Sequence, residues 1–239
     1  MSLIICVHVH AGIVLASDSR STYNNNIRME NKEIVHIGTN ITDTTNKTFL
    51  CPNKVGLAIC GDSSINGRPI AGFIEEFLLN KVTKDTPIDE MPEMIIEYFD
   101  AVAPKLRSVF FVVGYQKNRD HYEQRLYDVN TFERKYRKFD NVNQGAIWQG
   151  EMDILTKLLT KTFAKNGNQL MEIPQFDIAW NLFNLQDAIN FAEFAIKTTA
   201  DTMSFQNRLK TVGGPIDILV IKPEEAIWIK KKNLHANEK

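Results

Sequence analysis

The sequence predicts an α+β fold of antiparallel sheets with helices held outside them, and three observations carry that expectation. Residues 2–20 and 47–62 each read as an apolar hairpin. Two pairs of segments carry apolar residues at helical spacing, one before and one after a buried strand at residues 108–115. Two more strands, at 215–221 and 226–229, close the chain. Strands joined as hairpins need no parallel crossover, so the helices are left to cover the sheets.

The first hairpin is made of apolar, β-branched runs at 3–9 and 13–16, with His10-Ala11-Gly12 as turn material. Paired positions in a hairpin average to the turn centre. Ser2 and Asp18 average to 10, so the arithmetic brings a hydroxyl and a carboxylate together at the open end. Residues 21–46 are polar and rich in Asn and Thr, and read as an elaborated loop with one short strand at 34–37. The second hairpin turns at Pro52-Asn53-Lys54. Lys47 and Gly61 average to 54 and are expected to meet at its open end.

Ile70, Phe73, Ile74, Phe77 and Leu78 predict a helix over 64–80, and Met91, Ile95, Tyr98, Phe99 and Val102 another over 91–103. Strands at 122–129 and 135–141 follow the central one. Met152, Leu155, Leu158, Leu159 and Phe163 predict a helix after Gly150, followed by a loop containing Pro174. Leu185, Ile189, Ala192, Ile196 and Met203 give the clearest helix, with Asn184 as its N-cap. The basic end at 230–232 reads as a solvated terminus.

At 239 residues, 44% hydrophobic and without an internal linker, residues 1–239 read as one domain with a sizeable core. A net charge of −1 offers no footprint for nucleic acid or an anionic membrane. No apolar run reaches transmembrane length, and the start lacks the basic and small-residue features of a signal peptide, so a cytoplasmic protein is expected. Cys6, Cys51 and Cys60 are odd in number and lie in or beside apolar strands, as reduced buried thiols do. The glycosylation patterns at Asn40 and Asn46 then have no use.

The stretch Gly12-Ile13-Val14-Leu15-Ala16-Ser17-Asp18-Ser19-Arg20 resembles the opening of proteasome β-subunits, which are N-terminal nucleophile (Ntn) hydrolases. It is most similar to the bacterial ancestral β-like (Anbu) branch, which also encodes its nucleophile directly after Met1. The resemblance spans nearly the whole chain, and its motifs lie in residues 2–62 and about 196–221. It implies a four-layer αββα sandwich. It also implies Ser2 as nucleophile after removal of Met1, with its own α-amine, titrating near about 7.7–8.0, as base. Lys47 would favour the neutral amine and stabilise the developing alkoxide, Asp18 would orient Lys47, and the Gly61 N–H would serve an oxyanion hole. Lys47 is preferred to Lys32 because its downstream strand then registers, with Gly56 where the family keeps a glycine. The backbone at Ser21 and Thr22 would pair with an extended substrate. Ile59, with Ser63 below it, would wall an apolar primary pocket. The resemblance implies a peptide or protein substrate, no cofactor and no metal, and subunits that self-associate into a ring or spiral through the helices at 64–80 and 91–103.

The chain departs from the family in two places. Trp148-Gln149-Gly150-Glu151 stands where a Ser precedes Gly-Gly, and Leu209 and Val212 stand where an Asp and a Ser follow the retained Arg208. Asp201 or Ser204 would substitute if that loop is rearranged. These departures favour a non-catalytic assembly subunit as the alternative, and a retained Met1 would cap the amine. A small-molecule amide hydrolase would share the site. Singly the residues are ordinary: Ser often follows Met1, Asp ends strands in turns, and Lys begins solvated edges. It is their convergence that singles them out. His8 and His10 share a strand face but lack further ligands, and Cys6 sits mid-strand, where a thiol is inert.

Overall fold

All thirteen residues of β1 (Leu3–Val9) and β2 (Gly12–Ser17) are buried, which is why these strands are apolar throughout instead of alternating. Leu3, Ile5 and Val7 face a helical layer, while Ile4 and Cys6 face a second sheet. The computed structural model describes residues 2–28, 34–119, 121–140 and 142–233. Met1 and Lys32 lie outside the described residues.

After this hairpin come β3 (Ser21–Arg28) and β4 (Ile34–Thr42), which pair as a two-stranded ribbon in place of the expected loop. A ribbon outside both large sheets needs no apolar face, so residues 21–46 carry no alternation for the sequence to display. Next are β5 (Thr48–Leu50) and β6 (Gly56–Gly61), the small hairpin β7 (Ser64–Ile65) and β8 (Arg68–Pro69), and the helices α1 (Ile70–Lys81) and α2 (Met91–Val102). The hairpin at 64–69 takes the first turns of the helix expected over 64–80. The chain continues through β9 (Ser108–Asn118), β10 (His121–Asn130), β11 (Lys135–Lys138), β12 (Gly145–Gly150) and α3 (Asp153–Leu159). A hairpin of β13 (Phe163–Asn166) and β14 (Gln169–Glu172) replaces the last turns of the expected helix and part of the Pro174 loop. All eight of its residues are exposed, so it too left no apolar pattern. Then come α4 (Leu185–Ser204), β15 (Asp217–Ile221) and β16 (Ala226–Lys230). Asn184 caps α4 as expected, accepting from the Asp187 N–H while the Asp187 carboxylate accepts from the Asn184 N–H.

Two five-stranded antiparallel sheets dominate, ordered β12-β1-β2-β15-β16 and β11-β10-β9-β6-β5. Ile4, Leu15, Ala58, Phe111 and Leu219 pack between them. The first sheet turns its other side to Ile154, Ala192 and Ile196 of α3 and α4. The second packs Leu57, Phe110 and Val112 against Ile74, Phe77, Ile95 and Phe99 of α1 and α2. The wide apolar faces of these two helices, expected to serve subunit contacts, are thus largely spent on the sheet beneath them. Among the described residues no helix is long and apolar enough to cross a membrane.

Both hairpins carry their site residues to open ends, but in shifted register. Val9 pairs with Gly12 across a two-residue turn, so Ile4 faces Ser17 and Asp18 comes opposite Leu3, one residue from Ser2. In the second hairpin Thr48 faces Ala58 and the Ile59 N–H donates to the Lys47 carbonyl, so Lys47 meets Ile59 and not Gly61. The Cys51 N–H closes that turn on the Val55 carbonyl, centring it on Asn53. Gly61 instead pairs with Ser108.

Candidate active site

Asp18 leaves the end of β2 fully buried, and a carboxylate there must be surrounded by donors. Four supply it. Its Oδ1 accepts from the Leu3 N–H at 3.1 Å and from Lys47 Nζ at 2.8 Å, and its Oδ2 from the Arg20 and Gly213 N–H groups at 3.1 and 3.0 Å. Lys47 Nζ also donates to the Arg20 carbonyl at 2.5 Å. Burial pushes the Lys47 ammonium below its ordinary range, opposed first by the Asp18 charge. A buried lysine so balanced can give up its proton more readily than a surface one. Arg20 is occupied elsewhere, in a two-pronged pair with Asp43 at 2.7 and 2.8 Å.

Ser2 lies at the same end, 6% exposed, with its carbonyl accepting from the Glu151 N–H at 2.8 Å. Gly150 makes that approach possible. Its φ of +104° is open to glycine, and a Cβ there would lie 1.8 Å from the Ser2 carbonyl oxygen. Gly61, at φ +116°, is similarly tight, with its would-be Cβ 2.3 Å from the Arg107 carbonyl oxygen. Cys60 completes the floor, its thiol pushed up to about 12 mainly by burial. Cys6 and Cys51 are also raised by burial, and all three cysteines are unpaired.

The remaining expected residues divide. Ser21 and Thr22 are buried at the start of β3, with the Ser21 hydroxyl 2.7 Å from that of Thr45. Ile59 is buried beside Phe49 and Ile65, and Ser63 accepts from the Ile70 N–H through its carbonyl. Asp201 and Ser204 are exposed on the end of α4. Asp201 pairs with Lys197, and the Ser204 hydroxyl donates to the Asp201 carbonyl at 2.7 Å, so neither hydrogen-bonds to Ser2, Asp18 or Lys47. The described residues contain no cluster of three or more metal-ligating side chains. His8 is buried, which lowers its imidazole pKa.

Two groups escaped the sequence. Glu151 is 8% exposed, its Oε1 accepting from the Thr211 hydroxyl at 2.6 Å and its Oε2 3.6 Å from Arg208. The other is Lys232, expected in solvent but paired with Asp217, their side chains 3% and 2% exposed. A lone carboxylate in the apolar run at 216–221 was the signal, since a buried charge requires a counter-charge.

No protein-family profile and no curated protein sequence matches the chain. Solved structures do. An Anbu (ancestral beta-subunit) protein from Yersinia bercovieri aligns with a TM-score of 0.57 at 12% identity, over 96% of this chain and 87% of its own. An Anbu (Gly-1) mutant from Hyphomicrobium sp. strain MC1 aligns with a TM-score of 0.56 at 14% identity, over 100% of this chain and 89% of its own. A second Anbu structure from that strain gives 0.56 at 12%. Aligned over 96–100% of its length, the chain has the proteasome-β-like fold of the Anbu proteins.

Proposed function

We propose that this protein is a proteasome-like Ntn hydrolase that cleaves peptide or other amide bonds through Ser2 once Met1 is removed. In this reading the two sheets and their flanking helices form the four-layer αββα sandwich. The observation that carries it is the buried Lys47–Asp18 pair, anchored on the Leu3 N–H one residue from Ser2. A charge pair so costly to bury needs a purpose, and the end of a strand beside a chain-terminal hydroxyl supplies one. The freed α-amine takes the Ser2 Oγ proton as Oγ attacks the substrate carbonyl. Lys47 and the Gly61 N–H stabilise the oxyanion, and the amine returns its proton to the departing nitrogen. Water then hydrolyses the Ser2 ester. In this reading Ile59 and Ser63, themselves uncharged, wall the primary pocket, so apolar side chains are preferred, and Ser21 and Thr22 hold the substrate backbone. Three free thiols agree with a cytoplasmic protein.

A peptide epoxyketone tests this, because it needs both the hydroxyl and the free amine to close its ring. Intact mass is expected to show one adduct on a chain beginning at Ser2, absent from Ser2→Ala. No adduct on the Met1-free chain overturns the reading in favour of a non-catalytic assembly subunit. Turnover of small amides but not peptides points to the small-molecule hydrolase.

The reading includes self-association into a ring or spiral. The exposed apolar residues that support it lie on the β13–β14 arm and the loop after it: Phe163, Leu170, Met171, Phe176 and Leu182. Opposite in shape is a groove of about 450 Å³ lined by Phe77, Met94, Tyr98 and Val102, with Lys81 and Glu97 at its sides. A knob on one face and a groove on another make a heterologous contact, which closes or spirals. Sedimentation velocity is expected to show an oligomer that Phe176→Ser with Leu182→Ser dissociates to monomer. A monomeric parent at every concentration overturns it.

A further inference from the structure

Glu151 is a buried carboxylate held by one loose cationic partner. It is 8% exposed, and among the described residues its side chain makes one hydrogen bond, from Thr211 Oγ1 at 2.6 Å. Its ion pair with Arg208 is loose at 3.6 Å, and Arg208 is shared with Asp153 at 3.2 Å. A carboxylate accepts about four hydrogen bonds, so capacity is left over where water is scarce. Backbone geometry puts Ser2 alongside it. The β1–β12 register runs through Leu3 and Gly150, and the Glu151 N–H donates to the Ser2 carbonyl at 2.8 Å, so Ser2 and Glu151 are cross-strand neighbours. Removal of Met1 turns the Ser2 nitrogen from an amide with one N–H into an ammonium with three.

We propose that Glu151, braced by Thr211 and Arg208, receives the freed α-ammonium of Ser2 and is the residue that orients this amine toward the Ser2 hydroxyl. The proposal rests on Ser2 acting as an N-terminal nucleophile. It makes Glu151 a positioning residue, and it accounts for a buried acid directly after the positive-φ Gly150. The amine then stands between opposed charges. Glu151 and Asp18 favour its protonated form, while Lys47 and Arg208 favour the neutral base. Around them lie Asp128, paired with Arg137 and bonded to Gln149, Asp153 beyond Arg208, and the protonated Cys60 thiol. Catalysis requires the neutral amine, so Glu151 sets the pH at which Ser2 becomes reactive while fixing where its base points.

Glu151→Gln keeps the volume and an acceptor for Thr211 but removes the charge. In protein beginning at Ser2 and labelled with ¹³C-serine and ¹³C-glutamate, the Ser2 titration midpoint is expected to fall by about one pH unit in this variant. Glu151→Asp, which keeps the charge, should hold the parent value. The acidic limb of Ser2 modification by a β-lactone should shift by the same amount, with a lower plateau because the amine is less well aimed. In the parent chain the Glu151 carboxyl resonance should carry a second inflection at the Ser2 midpoint. That measurement needs no variant to fold. A parent Glu151 curve without that inflection, or an unchanged Ser2 midpoint in folded Glu151→Gln, overturns the proposal. Coupled titrations with no lactone adduct at any pH would uphold the pairing and overturn the hydrolase reading alone.

Discussion

Asp18→Asn is expected to destabilise the protein by about 3–5 kcal/mol in urea denaturation and to abolish Ser2 labelling. The two Asp18 oxygens each accept from two donors: Leu3 N–H and Lys47 on one side, Arg20 N–H and Gly213 N–H on the other. An amide can satisfy only one of these sides. Its NH₂ must face two donors wherever it turns, and Lys47 loses its counter-charge inside the protein. The loss has a pH signature. Burial already holds the Lys47 ammonium below its ordinary range, and without Asp18 nothing comparable pulls it back. The folded state then binds fewer protons than the unfolded one, and stability rises with pH across the window between the two lysine values. The variant should therefore lose more at about pH 6 than at about pH 9. Asp43→Asn removes a carboxylate whose side chain is 43% exposed beside Arg20, and is expected to cost under about 1 kcal/mol. Equal losses in the two variants would show that the buried pair holds nothing in place.

The contrast between these two aspartates explains what the sequence could reveal. Asp18 ends an unbroken buried strand, so its carboxylate was legible as an anomaly. The hairpin arithmetic put it at the right end and missed the register by one residue, because a two-residue and a three-residue turn look alike around His10-Ala11-Gly12. The same blindness to turn length paired Lys47 with Gly61 when its partner is Ile59. Helices with one buried face were the most readable: α2 and α4 lie within a residue of their apolar stripes, because a core imposes a period, whereas β12, half-buried along its length, was not read as a strand. The β3–β4 ribbon and the β13–β14 arm belong to neither large sheet, so no period marks them. Glu151 was hidden for another reason. Gly150, at positive φ, breaks the alternation of β12, and the residue after such a break cannot be assigned a face from sequence.

Gly150→Ala is expected to slow Ser2 modification by about 100-fold, as a displacement of about 1 Å at a reacting group does. The new Cβ would sit 1.8 Å from the Ser2 carbonyl oxygen and 2.8 Å from its carbon, which is hard overlap, and φ at +104° denies it a relaxed backbone. Either β12 parts from β1 or Ser2 moves. Ser2 is the weaker side, since it precedes the first paired residue of β1 and is held there by the Glu151 N–H at 2.8 Å. The substitution breaks that hydrogen bond, and the expected stability loss is about 2–3 kcal/mol, small beside the effect on rate. Gly72→Ala provides the matched control. Gly72 is exposed on α1 with nothing within 4 Å of its would-be Cβ, and alanine there should stabilise by about 0.5–1 kcal/mol without touching Ser2. Labelling of Gly150→Ala at the parent rate would mean that the strand contact does not position Ser2. Ser2 would then owe its placement to the Asp18–Lys47 side alone, and the cross-strand partnership with Glu151 would lose its geometric basis.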